Sequence, residues 1–156
     1  MTLETGGASR WQGRRRAREV ALRMLYQSDV GKLSIADVAD SHGTIGGAEA
    51  IALDDESRDY ALNLARGASD NQSALDGYIT DAAQNWRVER LAVIDRLLLR
   101  VAIHELLERP GTPPRVVIDE AIELARSYSG DEAAKFVNGV LDGVFRRLKD
   151  EGKVID

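Results

Sequence analysis

The sequence predicts an all-α fold, a single compact domain of about seven helices in two small lobes. Apolar residues recur at three- and four-residue spacing along most of the 156 residues, and an apolar content of 44% suffices to bury a core. Only residues 116–118 resemble a strand, and that run is too short to build a sheet. The helical domain is expected over residues 14–150. Residues 1–13 are polar and without periodicity, so a disordered tail is expected there.

Helix boundaries follow from capping residues and from the width of the apolar stripes. Ser34 and Asp54 precede periodic segments and are expected N-caps, whereas Gly31 and Gly130 stand where helices are expected to stop. The helix that begins at Leu91 has the broadest apolar stripe and is therefore expected to be central. The predicted elements are helices over residues 14–31 and 35–39, a loop over 42–53, and helices over 55–68, 73–86, 91–109, 113–130 and 131–148.

Charge is distributed unevenly along the chain. Residues 1–32 carry seven Arg and Lys against three acidic residues, a net charge of +4. Residues 33–156 carry fourteen against twenty-three, a net charge of -9. A nucleic acid is therefore expected at the basic edge and a basic partner at the acidic remainder.

Two features of the sequence lead us to expect a cytoplasmic protein. It contains no cysteine, so disulfides and thiolate metal sites are excluded, as is common in a reducing compartment. Its apolar runs are only a few residues long, so neither a membrane span nor a secretory leader is expected.

An arginine run opens the first predicted helix and is the strongest polar feature of the sequence. Arg14, Arg15, Arg16 and Arg18 are expected to form a linear exposed patch, since positions 14 and 18 lie one turn apart. Guanidinium groups hold phosphates and stack on bases. Cations at a helix N-terminus also oppose its dipole, which favours a ligand there. A solvated basic helix start is the alternative.

Other aromatic and glycine residues have two interpretations each. Tyr26 either stacks an unpaired base or completes the edge of the core. Lys135 is expected to meet a phosphate, and Phe136 is assigned first to the core. Trp86 either seats a protein partner or caps the core. Gly139 is expected to let two helices approach closely.

The sequence contains no recognisable catalytic or metal site. His104 and Glu105 lack the histidine that a zinc-binding helix needs four positions on, because Glu108 stands there. Acidic residues at helix starts are explained by the helix dipole, and no phosphate-binding loop or nucleophile elbow occurs. The chain is therefore not expected to be an enzyme or to need a metal or cofactor.

With these residues in place, the chain resembles the NusB family of transcription antitermination factors from Arg14 to about Leu148. Any one of the matching segments would be weak evidence, whereas five in the same order are specific. They are residues 14–19 (RRRARE), 21–26 (ALRMLY), 94–107 (IDRLLLRVAIHELL), 117–125 (VIDEAIELA) and 135–142 (KFVNGVLD).

The resemblance implies a noncatalytic factor that pairs with ribosomal protein S10. The pair would bind boxA-type single-stranded leader RNA, support ribosomal RNA transcription and join the transcription elongation complex. Glu132 is expected to lower the affinity for RNA, because a carboxylate beside the RNA repels phosphate. The RNA contacts implied by the resemblance are Arg14, Arg15, Arg16 and Arg18, with Tyr26, Lys135 and Phe136 as additional contacts.

Two other classes of protein, and two oligomeric states, stay open. One class is the RNA-binding module of a ribosomal RNA methyltransferase, which is disfavoured because no methyl-donor domain follows Asp156. The other is a helical protein-interaction module in which the arginines serve solubility alone. A monomer and a homodimer are both compatible with the resemblance.

Overall fold

The computed structural model describes residues 2–40, 53–84, 91–108 and 111–154, and side chains from residue 12 onward. Every regular element in these segments is a helix and none is a strand, so the predicted all-α fold is confirmed. Numbered in chain order, the helices are α1 (Thr2–Gly31), α2 (Ile35–Asp40), α3 (Asp55–Asp70), α4 (Gln72–Ala83), α5 (Val93–Glu108), α6 (Pro114–Ser129) and α7 (Asp131–Asp150).

The chain divides into two compact units, which correspond to the two predicted lobes. Unit 1 is Met1–Ser69 and contains α1, α2 and nearly all of α3, whereas unit 2 is Asp70–Asp156 and contains α4 to α7. Within the described segments, no helix combines the length and the apolar character that crossing a bilayer requires. The buried apolar residues of α1 and α3 are Ala17, Val20, Ala21, Leu22, Met24, Leu25, Tyr60, Ala61, Leu64, Ala65 and Ala68.

The first helix is longer at its start than the sequence predicts. It begins at Thr2, whereas apolar spacing predicts a start at Arg14 and a disordered segment over residues 1–13. Apolar spacing marks only the part of a helix that packs against a core, and extending an existing helix costs far less than nucleating one. An extension without an apolar face therefore carries no signal in the sequence.

Helix α1 ends at the predicted residue, but a different residue adopts the left-handed conformation that terminates it. The helix ends at Gly31, but the left-handed residue that terminates it is Lys32, whose φ is 57°. The Leu33 N–H donates to the Ser28 carbonyl at 3.1 Å, the hydrogen bond that closes this kind of helix end.

Both predicted N-caps are confirmed. The Asp37 N–H donates to Ser34 Oγ at 3.1 Å, and the Ser57 N–H donates to Asp54 Oδ1 at 2.8 Å. The hydrogen bonds from Ser57, first from its backbone, hold the pKa of Asp54 below its usual value. The predicted loop over residues 42–53 lies outside the described residues except for Leu53, which is buried.

Helix α5 is the central element of unit 2, as predicted. Every residue from 97 to 106 is buried, and α5 packs against α4, α6 and α7. Arg100 lies within this stretch and forms a two-pronged ion pair with Asp76 of α4. The guanidinium Nε lies 2.7 Å from Asp76 Oδ1, and Nη2 lies 2.8 Å from Oδ2. This pairing neutralises the charge of a buried arginine.

The C-terminal end of α7 closes on a glycine that its backbone conformation requires. Gly152 has a φ of 72°, and its N–H donates to the Lys149 carbonyl at 3.0 Å. The Lys153 N–H donates to the Leu148 carbonyl at 2.8 Å, which completes the paired hydrogen bonds of a left-handed helix end.

We expect Gly152→Ala to destabilise the protein by about 1 kcal/mol, because a Cβ is strained at this positive φ. Urea denaturation measures the change. Gly77→Ala is the matched control: Gly77 lies inside α4, and an added Cβ meets nothing within 4 Å. The control should stabilise the protein by a similar amount, through helix propensity. Equal effects of both variants would contradict the role of the left-handed turn.

Candidate nucleic-acid interface

In unit 1, α1 presents one exposed face that combines cations with an aromatic ring. Arg15, Arg16 and Arg23 are exposed, and Tyr26 is 43% exposed. At 3.6 residues per turn these four positions fall within about 100° of the helix circumference and span about 16 Å of its length. We call these four residues the α1 cationic face.

A single carboxylate lies among the cations of the α1 cationic face. Glu19 Oε1 is 3.2 Å from Arg23 Nη2, one helical turn away, and both side chains are partly exposed. Such exposed pairs contribute little to stability and are screened by salt. Three guanidinium groups against one carboxylate leave the face with a charge of +2, so its attraction for an anionic chain is retained.

Two of the predicted arginines lie on another side of α1. Arg14 is partly buried: its guanidinium carbon is 4.1 Å from the centre of the Tyr60 ring, and Nη2 is 4.0 Å from Glu56 Oε1. Arg18 is only 3% exposed. The prediction of one exposed patch containing both residues is therefore wrong. Arg18 precedes buried Ala21 by three positions, so the helix turns it onto the buried side.

The arrangement of the α1 cationic face suits a single-stranded nucleic acid. Guanidinium groups hold backbone phosphates through forked donors, and a partly exposed tyrosine ring can stack on an unpaired base. Binding of a single strand requires two kinds of contact: cations that bind the backbone phosphates, and aromatic rings on which the bases stack. Sequence reasoning missed Arg23, although its seven-residue separation from Arg16 places it on the same face.

In unit 2, three of the predicted residues lie near the start of α7. Lys135 is 78% exposed, and its Nζ is 3.8 Å from Oε1 of Glu132, which is 94% exposed. Phe136 is partly exposed. Lys135 is thus available to a phosphate, and Glu132 competes for the same ammonium group.

Lys135 and Phe136 line a groove between α4 and α7 within unit 2. The groove has a volume of about 630 Å³ and includes Gly139 in its lining. Its other charged and aromatic lining residues are Tyr78, Asp81, Arg146 and Arg147. We call it the α4–α7 groove. It contains three cationic side chains and one carboxylate, and its lining is more basic than the unit as a whole.

A cluster of side chains around Tyr78 stabilises the wall of the α4–α7 groove. The Arg147 guanidinium lies 4.4 Å from the centre of the Tyr78 ring and pairs with Asp81, while Lys153 Nζ donates to the Tyr78 hydroxyl at 2.8 Å. Hydrogen bonds from Arg147 and then Lys153 hold the pKa of Glu151 below its usual value. The Glu151 carboxylate therefore stabilises the fold at neutral pH, and this contribution is lost as the pH falls through the lowered pKa.

Close contact between α4 and α7 occurs at a different glycine from the one predicted. A Cβ at Gly143 would lie 3.3 Å from Ala82 Cβ, so the two helices approach closely there. A Cβ at Gly139 would meet nothing within 4 Å. The packing role predicted for Gly139 is therefore wrong, and its lack of a side chain leaves open space in the α4–α7 groove.

Trp86 lies outside the described residues. Helix α4 ends at Ala83, three positions before the predicted end. Across the described segments, no three acidic or histidine side chains come together in a way that could hold a metal ion.

The fold and the exposed face define the class: a small all-α protein of two helical units, one of which presents a cationic helix. The NusB family model matches residues 15–146. The chain is 42% identical to the transcription antitermination protein NusB of Koribacter versatilis over 153 residues, 98% of each protein. The chain therefore belongs to the NusB family.

Solved structures agree with this assignment. A structure of T. maritima NusB aligns with a TM-score of 0.76 and 33% identity, covering 85% of this chain and 90% of that one. A crystal structure of the antitermination factors NusB and NusE in complex with dsRNA aligns with a TM-score of 0.76 over 87% of this chain and 98% of that one. At 24% identity, this second likeness shows the fold alone.

Proposed function

We propose that this chain is an RNA-binding transcription antitermination factor, not an enzyme, and that it acts in the cytoplasm. With ribosomal protein S10 it would bind boxA-type leader RNA and support the transcription of ribosomal RNA by the elongation complex. Family membership supports the biological role, and a relative named as an antitermination protein matches over 98% of its length. The α1 cationic face is the observation that carries the RNA-binding part of the proposal.

The proposed RNA contacts follow from exposure. Arg15, Arg16 and Tyr26 keep the roles predicted from the sequence, and Arg23 joins them on the α1 cationic face. Arg14 and Arg18 lie on another side of α1, and they are better suited to stabilising this helix than to binding RNA. Lys135 and Phe136 are proposed contacts in unit 2, where both line the α4–α7 groove.

A basic partner suits the rest of the chain. Residues 33–156 carry a net charge of -9, and the opposite sign on the partner would speed association and set its orientation. S10 is proposed for this role. Binding of S10 that weakens as salt rises, measured by calorimetry, is the expected result; no S10 binding at any salt would contradict it.

We expect Glu132→Lys to tighten RNA binding roughly 5-fold to 10-fold at about 0.1 M salt, because one repulsive charge is removed and one cation is gained. Glu132 also pairs with Lys135 across 3.8 Å, so its removal releases that ammonium group for phosphate. Fluorescence anisotropy with labelled RNA measures the affinity.

The matched control for this substitution is Glu108→Lys at the exposed end of α5, which makes the same change of charge on a different helix. Glu132→Gln separates the removal of a negative charge from the gain of a positive one. Equal or weaker RNA binding by Glu132→Lys than by Glu108→Lys would refute the proposed position of Glu132 beside the RNA.

A further inference from the structure

The α1 cationic face has a carboxylate at its centre. At about 100° per residue, Glu19 lies within about 60° of each of the four residues of this face around the helix axis. Along the axis it lies between Arg16, three positions before it, and Arg23, four positions after it. The Glu19 side chain is 33% exposed. A nucleic-acid strand that follows the arginines therefore passes over this carboxylate.

The helix dipole does not account for Glu19, and phosphate binding is opposed by it. Helix α1 begins at Thr2, so Glu19 lies in the helix interior, far from the first turn where the dipole stabilises a carboxylate. Its pair with Arg23 is exposed and contributes little to stability. Its charge also cancels one of the three guanidinium charges that attract phosphates. A carboxylate at this place suits a part of the ligand that donates hydrogen bonds.

The hydrogen-bond donors of single-stranded RNA are its 2′-hydroxyl groups and the edges of its bases. Guanine has two donors side by side, N1–H and the N2 amino group, which match the two oxygens of a carboxylate. Uracil places its N3–H between two carbonyl oxygens, and adenine and cytosine place their amino group beside an acceptor nitrogen. A carboxylate repels these acceptors, so it selects guanine both by attraction and by exclusion of the other bases.

The neighbours of Glu19 leave room for this contact. Arg23 Nη2 lies 3.2 Å from Glu19 Oε1 and orients the carboxylate. A carboxylate oxygen can accept more than one hydrogen bond, so Oε1 can bind Arg23 and a base together. Tyr26 lies seven positions after Glu19, about 10 Å along the axis. A base stacked on Tyr26 and a base read by Glu19 are therefore different bases of one strand.

We propose that Glu19 is a specificity-determining residue of the α1 cationic face, which accepts hydrogen bonds from N1–H and the N2 amino group of an unpaired guanine. The inference rests on the proposed RNA-binding function and adds a base preference to it. Arg15, Arg16 and Arg23 bind phosphates of any sequence. Glu19 lowers the affinity for strands without guanine and restores it for a strand that places guanine at this position.

The test measures base preference directly. A labelled oligouridine is compared by fluorescence anisotropy, at about 0.1 M salt, with the same strand carrying guanosine, inosine or adenosine at each position in turn. The strands are titrated with the protein, alone and together with S10. At one position, guanosine should bind about tenfold tighter than adenosine, a purine that stacks similarly. Inosine keeps N1–H but lacks the amino group, and should bind roughly threefold more weakly than guanosine.

Glu19→Gln removes the charge and keeps the shape of the side chain. The variant should reduce the preference for guanosine to less than about twofold, and should bind the plain oligouridine roughly 3-fold to 5-fold tighter, because a repulsive charge is lost. Glu108→Gln, at the exposed end of α5, is the matched control and should change neither quantity. Circular dichroism should show equal helicity in both variants, since Glu and Gln have similar helix propensities.

The outcomes separate this inference from the proposed function. If the unaltered protein binds none of the strands, with or without S10, both fail. If it binds RNA without a preference for guanosine at any position, the inference is overturned and the proposed function stands. If Glu19→Gln tightens binding of every strand equally and keeps the preference, Glu19 only repels phosphate, and the inference is likewise overturned.

Discussion

Replacing Arg15, Arg16 and Arg23 together by Ala is expected to weaken RNA binding on the order of 100-fold at about 0.1 M salt, with the fold unchanged. Each phosphate contact to a single strand contributes a slope of about 0.7 in the dependence of log affinity on log salt, or roughly 5-fold at this salt. The slope should therefore fall by about 2 in the triple variant. Titrations by fluorescence anisotropy at several salt concentrations measure both quantities.

The control for this variant makes the same change of charge elsewhere. Arg66, Arg115 and Lys149 are exposed and lie on α3, α6 and α7, so their replacement by Ala also lowers the formal charge from -5 to -8. Helicity should be retained in both, since alanine is the better helix former. If the two triple variants lose affinity equally, the effect is one of net charge, and the α1 cationic face is not the binding site.

Asp76→Ala is expected to destabilise the protein by about 3 kcal/mol, because it leaves the buried guanidinium of Arg100 without its partner. The Arg100 side chain is 7% exposed and that of Asp76 26% exposed, so water can replace the lost carboxylate only in part. The pair joins α4 to the central helix α5, and its loss should loosen the wall that α4 provides for the groove. Urea denaturation followed by circular dichroism measures the change in the free energy of unfolding.

Two further variants identify the cause of this destabilisation. Asp142→Ala removes the partner of the exposed Arg146 and should cost less than about 1 kcal/mol. Combining Asp76→Leu with Arg100→Met removes both buried charges and should recover most of the stability. A loss below about 1 kcal/mol in Asp76→Ala would mean that the buried pair is not an important link between α4 and α5.

The helices could be predicted largely from the sequence, because apolar spacing records which side of a helix is buried. The buried run at residues 97–106 and the caps at Ser34 and Asp54 follow from such local patterns. Two helix ends were not predictable in this way. Helix α1 extends back to Thr2 without an apolar face, and α4 ends before Gln84, whose left-handed φ of 53° is unusual for that residue type.

The candidate site was predictable only in part, because neighbours in a sequence can lie on different sides of a helix. Each step along a helix turns by about 100°, so Arg16 and Arg18 diverge although only one residue separates them. The helical spacing of the apolar residues, continued backwards from Ala21, would have placed Arg18 on the buried side. The α4–α7 groove depends on pairs such as Asp81 and Arg147, which are 66 positions apart, and no local pattern records them.

The most direct test of the central claim is fluorescence anisotropy of a labelled boxA-type RNA, titrated with this protein alone and then with S10, at two salt concentrations. We expect weak binding by the protein alone that falls steeply with salt, and much tighter binding when S10 is present. No RNA binding under either condition would contradict the account and would leave a helical protein-interaction module whose arginines serve another purpose.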